Sequence, residues 1–173
     1  MAVFAALALA WLALDRATKA AFDAYRPGEL IAGPFANVFQ LRLVHNTGAA
    51  WGMFGDSTFA LGVLSSAVCL AVLAGAVALR RRMPGVAAVG AALVFAGGLG
   101  NAIDRFAFGY VVDFIEPVFI DFPVFNVADI GVTCGIVLLF IGYLLYERRE
   151  VARERAVPPR SADRAAADEE RSR

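Results

Sequence analysis

Two aspartates stand at the edge of a long apolar segment in the second half of the chain. Asp113 and Asp129 lie in VVDFIEPVFIDFPVFNVADIG, mostly among apolar residues, with fifteen residues between them. A buried carboxylate is costly to desolvate unless it is partnered. Two carboxylates that share one proton can hydrolyse a peptide bond, because one activates water and the other protonates the leaving amine. This is the chemistry that the pair could perform if the fold brings the two side chains together.

Further polar residues occur where the other apolar segments end. Polar residues at membrane depth are functional candidates by default. Asp15 and Lys19 stand four apart, a spacing that puts them on one helix face. Asn126 precedes Asp129 by three residues. The remaining candidates lie in two short motifs: Asn46 and Gly48 in NTGAAWG, and Asn101, Asp104 and Arg105 in GNAIDRF.

Each of these groups also has an ordinary structural explanation. The aspartate and lysine of the first segment could neutralise each other at a helix end, and NTGAAWG could be a turn. The glycines of GGLG, at 97–100, could permit close helix packing. Asn126 and Asp129 could cap a helix and complement its dipole. None of these explanations accounts for Asp113. Nor do they explain why four polar groups from separate segments lie at the same depth in the membrane.

The segments that must position these residues are those of a membrane protein. Of the 173 residues 60% are hydrophobic, the mean hydropathy is +0.64, and nearly half of the charges fall in the last 27 residues. Spanning a bilayer takes about 20 apolar residues. We predict four transmembrane helices in a single integral-membrane domain, 1–146, and then a charged cytoplasmic tail, 147–173, disordered past its first turns. The helices are expected at about 2–22, 58–79, 85–105 and 127–146.

The positions of the arginines indicate the orientation. Arg80, Arg81 and Arg82 lie between the second and third runs, and more arginines follow the fourth. The positive-inside rule therefore places this loop and both termini in the cytoplasm. NVFQLRLVHN and YVVDFIEPVFIDF, in the loops on the other side, have the alternation of half-buried strands. We expect an α-helical membrane protein with a small outward-facing β-sheet formed by its extracytoplasmic loops.

No other site chemistry is indicated. Cys69 and Cys134 fall within predicted helices, and His45 has no Cys or Glu partner at ligand spacing, so no metal site is expected. We find no nucleotide motif, cofactor fingerprint or basic surface for nucleic acid. The sequence therefore predicts neither a cofactor nor a nucleic-acid partner.

Five motifs occur in a characteristic order and spacing: DRATK at 15–19, NTGAAWG at 46–52, GGLGNAIDR at 97–105, VVDFI at 111–115 and FNVADI at 125–130. Together they resemble one family, bacterial lipoprotein signal peptidase, also called signal peptidase II. The resemblance extends from the first helix to about Tyr146. One departure is Arg16, where the family often has glutamine.

The resemblance implies an aspartic endopeptidase of the bacterial inner membrane, multi-pass, with its site near the outer face. It would contact membrane lipid and cleave diacylglyceryl-modified prolipoproteins on the N-terminal side of the lipidated cysteine. Separately from the resemblance, we expect a monomer. Asp113 and Asp129 would be catalytic. The residues that would bind substrate are Asn46, Asn101, Arg105 and Asn126, and those that would support the site are Asp15, Lys19, Gly48 and Asp104.

Two other classes of function remain open. A small transporter or proton relay would be expected to have acidic residues near the middle of the membrane and an internal repeat, and the sequence has neither. A non-enzymatic scaffold for lipoprotein export would not need both aspartates.

For a peptidase, the apolar neighbours of Asp113 favour its neutral acid, whereas the first helical turn favours an ionised Asp129. We therefore expect the shared proton on Asp113.

Overall fold

The computed structural model of the protein describes residues 1–49 and 57–156, the last four of them as backbone only. Its four helices and one three-stranded antiparallel sheet confirm the predicted fold class. In chain order the elements are α1 (Ala2–Phe22), β1 (Leu30–Phe35), β2 (Phe39–Asn46), α2 (Thr58–Ala78), α3 (Gly85–Ala107), β3 (Val111–Pro117) and α4 (Val127–Ala156).

The central helix is α3, which packs against α1, α2 and α4. Its approach to α4 depends on small residues. A Cβ added to Gly90 would lie 2.6 Å from the carbonyl oxygen of Gly135, and a Cβ added to Gly135 would lie 2.7 Å from that of Gly90. Gly97 likewise faces the backbone of Ala128 at the start of α4. Glycine therefore lets the two helix backbones meet, as the GGLG motif suggested.

Three helices, α2, α3 and α4, are long and apolar enough to cross a membrane by length and composition, with mean hydropathies of 2.3, 1.8 and 2.1. Only 17% of the α2 span and 22% of the α4 span are buried within the protein. Large apolar side chains such as Phe59, Leu70 and Phe140 are therefore largely exposed. Continuous apolar surface of this extent suits lipid rather than water. The helix α1 has a similar length but carries three charged residues, whose partners are described below.

The sheet has the order β1-β2-β3, with β2 in the centre. The two stretches predicted as strands contain β2 and β3. We did not predict β1, which includes Gly33 and Pro34; an edge position tolerates proline because its missing N–H would face away from the sheet. Leu43 of β2 packs in a buried cluster with Val112 and Phe114 of β3. The middle of the sheet is thereby fixed to the protein core.

The last helix continues ten residues past Tyr146, where we expected it to end, and reaches Ala156. The added segment, ERREVARERA, consists mainly of Glu, Arg and Ala, which have high helix propensity. The predicted disorder concerns the rest of the tail, 157–173, which lies outside the described residues.

Candidate active site

The register of the sheet places Asn46 beside Asp113. Val44 of β2 lies opposite Asp113 of β3, and Asn46 lies opposite Val111. Asn46 and Asp113 are therefore diagonal neighbours on one face of the sheet. Asn46 Nδ2 donates to Asp113 Oδ2 at 2.9 Å, and Asn46 Oδ1 accepts from the Gly48 N–H at 2.9 Å. One side chain thus holds both the carboxylate and the turn after β2.

Asp129 is held by the first turn of α4. The Asp129 N–H donates to Asn126 Oδ1 at 3.1 Å, and the Asn126 N–H donates to Asp129 Oδ2 at 3.0 Å. This reciprocal pair is a capping box, so the capping explanation considered for these residues is correct. The positive end of the helix dipole also favours an ionised carboxylate at this position.

Asn126 and Asn101 connect the two carboxylates. Asn126 Nδ2 donates to Asp113 Oδ1 at 2.6 Å and to Asn101 Oδ1 at 3.1 Å, and Asn101 Nδ2 donates to Asp129 Oδ1 at 2.7 Å. Together with the bond from Asn46, each carboxylate accepts two hydrogen bonds from N–H donors. Capping of α4 and organisation of the carboxylate pair are therefore functions of the same asparagine.

Both carboxylates line one cavity of about 460 Å³, together with Asn46, Asn101 and Arg105. Asn126, expected to bind substrate, is fully buried and holds the carboxylates from behind. A mainly apolar cavity with a few converging polar groups is typical of a binding site. The other wall residues are Ala49, Val111, Phe122, Pro123, Val124, Phe125, Ile130, Thr133 and Cys134.

Arg105 joins the end of α3 to the turn that follows β2. Its guanidinium donates to the Gly48 carbonyl oxygen at 3.2 Å and to the Asn101 carbonyl oxygen at 3.4 Å. Its charge acts on both Asp113 and Asp129. The structure therefore brings a cation to the wall that the carboxylates share. The rest of the NTGAAWG motif, residues 50–52, lies outside the described residues.

Three of the four predicted supporting residues, all except Gly48, form a buried charge cluster behind Asn101. Lys19 Nζ lies 3.1 Å from Asp15 Oδ2 and 3.0 Å from Asp104 Oδ2, and it donates to Asn101 Oδ1 at 2.7 Å. Arg16 adds a second cation, which donates to Asp104 Oδ1. Lys19, Asp15 and Asp104 have at most 1% of their surface exposed, and none of them is in the cavity wall formed by the described residues. Within the described residues, this cluster therefore lies behind the cavity wall and does not reach the cavity.

The two carboxylates of this cluster also hold the backbone on which the site is built. Asp15 Oδ1 accepts from the Ala128 N–H at 3.1 Å, and Asp104 Oδ2 accepts from the Val112 N–H at 3.3 Å. Ala128 immediately precedes Asp129, and Val112 immediately precedes Asp113. Each supporting aspartate therefore fixes the residue before one member of the carboxylate pair.

The surroundings of Asp113 favour its protonated form. Burial, and next the charge of Asp129, raise the pKa of Asp113 from 3.8 to about 7. Hydrogen bonds from Asn46 and Asn126 act in the opposite direction, as does the charge of Lys19. Two neighbouring carboxylates cannot both ionise without repulsion, so the pair can hold one proton near neutral pH.

Some site residues were missed from sequence. Ile130, Thr133 and Cys134 follow Asp129 at helical spacing, so the face they share could have been found. In the wall at 122–125, only Phe125 belonged to a motif, FNVADI, and nothing in the sequence pointed to the other three residues. His45 lies outside the cavity, where its ring pairs with Asp23 and stacks on Tyr110. Among residues 1–49 and 57–156, no group of three or more His, Cys, Asp or Glu side chains could hold a metal ion.

A linked pair of carboxylates, placed where a small sheet meets membrane-length helices, defines a class of protein, the membrane-embedded aspartic hydrolases. Residues 7–145 match the family described as Signal peptidase (SPase) II. The chain belongs to this family and is a multi-pass membrane protein of bacteria.

Individual relatives agree with this assignment. The chain is 40% identical over 146 residues to a lipoprotein signal peptidase of Gloeobacter violaceus, a match that covers 82% of this chain and 81% of the relative. A second lipoprotein signal peptidase, from Geobacter sulfurreducens, is 35% identical and the match covers 86% and 95% of the two chains. A solved bacterial membrane enzyme superposes with a TM-score of 0.73 at 29% identity, over 83% of this chain and 88% of that chain.

Family membership confirms the predicted activity. The protein is an aspartic peptidase, a hydrolase that cleaves signal peptides from prolipoproteins. The transporter and scaffold alternatives are thereby set aside.

Proposed function

We propose that Asp113 and Asp129 are the catalytic pair with which this protein cleaves diacylglyceryl-modified prolipoproteins, on the N-terminal side of the lipidated cysteine. The observation that carries the proposal is the arrangement of the pair. The two carboxylates come from separate elements, line one cavity and are linked through Asn101 and Asn126. The position of the cleaved bond rests on the resemblance of the five motifs to the family.

In the proposed mechanism the pair carries one shared proton in the resting enzyme. Asp113 holds it, since burial and the charge of Asp129 raise the pKa of Asp113 to about 7. We assign the charge to Asp129 because the N-terminus of α4 favours an ionised carboxylate at this position, whereas both carboxylates accept two hydrogen bonds from N–H donors. Asp129 takes a proton from the water that attacks the scissile carbonyl, and Asp113 protonates the leaving nitrogen. The two groups titrate as a unit during turnover.

Three polar residues of the cavity wall are assigned to substrate contacts. Asn46, Asn101 and Arg105 face the same space as the carboxylates, so they can bind the substrate backbone or the head region of its lipid. The apolar wall suits the hydrophobic signal peptide and the surrounding membrane lipid. One chain supplies both carboxylates and these three residues, so the proposed chemistry does not require a second subunit, and we propose that the enzyme acts as a monomer.

Conservative substitutions test the catalytic pair. Asp113→Asn and Asp129→Asn should each lower kcat for a diacylglyceryl-modified prolipoprotein by at least about a hundredfold, the scale of general acid–base catalysis, while the protein still folds and binds substrate. Asp121→Asn is a matched control, because Asp121 is exposed in the loop between β3 and α4, and it should cleave at the wild-type rate. Near-normal cleavage by either catalytic variant would make the pair structural.

We also propose that both termini are cytoplasmic and that the site lies near the outer face of the inner membrane. The arginines at Arg80, Arg81 and Arg82 precede α3, whereas Arg105 and the cavity lie at its other end. In a variant without the native cysteines, Arg81→Cys should react with a membrane-impermeant maleimide only after cells are permeabilised. Asp121→Cys should react in intact spheroplasts. The reverse pattern would place the site on the cytoplasmic side.

A further inference from the structure

Lys19 is a fully buried lysine whose ammonium group has three acceptors. It donates to Asn101 Oδ1 at 2.7 Å and lies 3.1 Å from Asp15 Oδ2 and 3.0 Å from Asp104 Oδ2. An ammonium group has three N–H donors and no acceptor, so all three oxygen atoms face a group that can only donate. With 1% of its surface exposed, Lys19 does not reach the cavity. Any effect it has on catalysis must pass through another residue.

The bond to Asn101 decides which way round that amide lies. An asparagine side chain presents a carbonyl oxygen on one side and an NH₂ group on the other, and its partners decide between the two orientations. Lys19 can only donate, so the oxygen faces Lys19 and the NH₂ group faces Asp129 Oδ1 at 2.7 Å. The orientation that Lys19 imposes therefore presents a donor to Asp129.

A second donor reaches the same oxygen but is weaker. Asn126 Nδ2 lies 3.1 Å from Asn101 Oδ1, and it also donates to Asp113 Oδ1 at the shorter distance of 2.6 Å. Hydrogen bonds from a charged donor are roughly twice as strong as those between neutral groups. The bond from Lys19 is shorter than that from Asn126 and is charge-assisted, so it is the main constraint on the Asn101 amide.

We propose that Lys19 is a positioning residue of the catalytic pair, which acts through Asn101 so that a donor and not an acceptor faces Asp129. The proposal rests on the catalytic role of this pair. A reversed amide would put its carbonyl oxygen against the Asp129 carboxylate, which would favour the protonated acid and remove the base. The charged groups around Asp129 are Asp113 on β3, Arg105 on α3 and Lys19 on α1.

The ordinary alternative is that Lys19 only neutralises its two anions, and two double variants separate the roles. Asp15→Asn/Lys19→Gln and Asp15→Asn/Lys19→Met each remove one buried anion and one buried cation, and leave Arg16 paired with Asp104. The asparagine at position 15 keeps an oxygen for the Ala128 N–H. Glutamine at position 19 offers an N–H donor to Asn101 Oδ1, whereas methionine of similar length offers none.

The two variants are compared by kcat, KM and the pH–rate profile for cleavage of a diacylglyceryl-modified prolipoprotein in detergent micelles, with Tm as the measure of folding. The methionine variant should have a kcat at least about tenfold below that of the glutamine variant, because a reversed Asn101 amide would no longer donate its charge-assisted hydrogen bond to Asp129. Its activity should also begin to fall at a pH higher by about one unit on the acidic side. KM should be the same in both, because Lys19 does not touch the substrate.

Equal kcat values and equal acidic limbs in the two variants would overturn the positioning role and leave charge balance as the explanation. A kcat difference that follows Tm, without a change in the pH profile, would also overturn it. The Asp113→Asn and Asp129→Asn variants separate this failure from failure of the proposed function. If they are inactive while the double variants match, only the role of Lys19 is wrong; if they cleave normally, both proposals fall.

Discussion

Removal of the Asn46 amide should change the pH range over which the enzyme works. Asn46 Nδ2 donates to Asp113 Oδ2 at 2.9 Å, and this bond lowers the pKa of Asp113 against the effects of burial and of Asp129, which leave it at about 7. Asn46→Ala deletes the donor and leaves the carboxylate in place. The ionised form of Asp113 loses one of its two N–H donors, so its pKa should rise.

The size of this change follows from the strength of the bond. A hydrogen bond to a charged group is worth about 1.5–3 kcal/mol, and one pKa unit corresponds to about 1.4 kcal/mol, so we expect a rise of about one to two units. Activity needs the shared proton, which is lost as the pH rises through the pKa of Asp113. The alkaline limb of the kcat profile should therefore begin near pH 7 in the wild type and about one to two units higher in Asn46→Ala.

Gln40→Ala is the matched control. Gln40 lies on the same strand, and its amide donates to Glu116 rather than to the catalytic pair. This variant should keep the alkaline limb of the wild type. An unchanged limb in Asn46→Ala, or a limb that moves to lower pH, would show that the Asn46 amide does not stabilise ionised Asp113.

Two further predictions concern stability and helix packing. Because the pKa of Asp113 is raised from 3.8 to about 7, its contribution to stability is fully present below about pH 4 and is lost as the pH rises through about 7. The Tm of Asp113→Asn, which cannot ionise, should therefore rise relative to that of wild type between about pH 4 and pH 7, and a constant difference over this range would contradict the assigned pKa. Gly97→Ala should lower both Tm and kcat, because its methyl group would meet the Ala128 backbone next to the catalytic turn. Gly75→Ala, which meets nothing within 4 Å, should leave kcat unchanged and should not lower Tm, because alanine is the better helix former; equal losses in the two variants would refute the packing argument.

The helices were predictable because the bilayer fixes their length and apolar composition. The observed helices lie close to the expected ranges, except where α4 continues into the charged segment. β1 was not predictable in the same way. Its six residues, LIAGPF, have little alternation and include Gly33 and Pro34, so the strand depends on its pairing with β2. The local sequence pattern therefore predicted the helices, which the membrane stabilises. It did not predict β1, which forms because it pairs with β2.

The sequence predicted which residues form the candidate site, but not which atoms of those residues contact one another. Motif order brought Asn46, Asn101 and Asn126 into the candidate site. It could not say which end of each amide faces a carboxylate, because that depends on donors elsewhere in the fold. Arg16 was visible only as a departure from the family pattern. Its partner, Asp104, is 88 residues away in sequence, and no local signal connects the two.

The charges of α1 bear on how the protein is assembled in the bilayer. A charged residue at the centre of a membrane helix opposes insertion by about 2.5–3.5 kcal/mol, and α1 carries three near its end. Asp15 and Lys19 can pair within the helix, but the Asn101 oxygen that completes the Lys19 contacts is 82 residues away, on a helix synthesised later. Until the third helix has been synthesised, Lys19 therefore lacks two of the three oxygen atoms that surround it in the folded protein, those of Asn101 and Asp104. The contacts through which Lys19 would position the proposed catalytic pair also hold the first helix against the third in the folded protein.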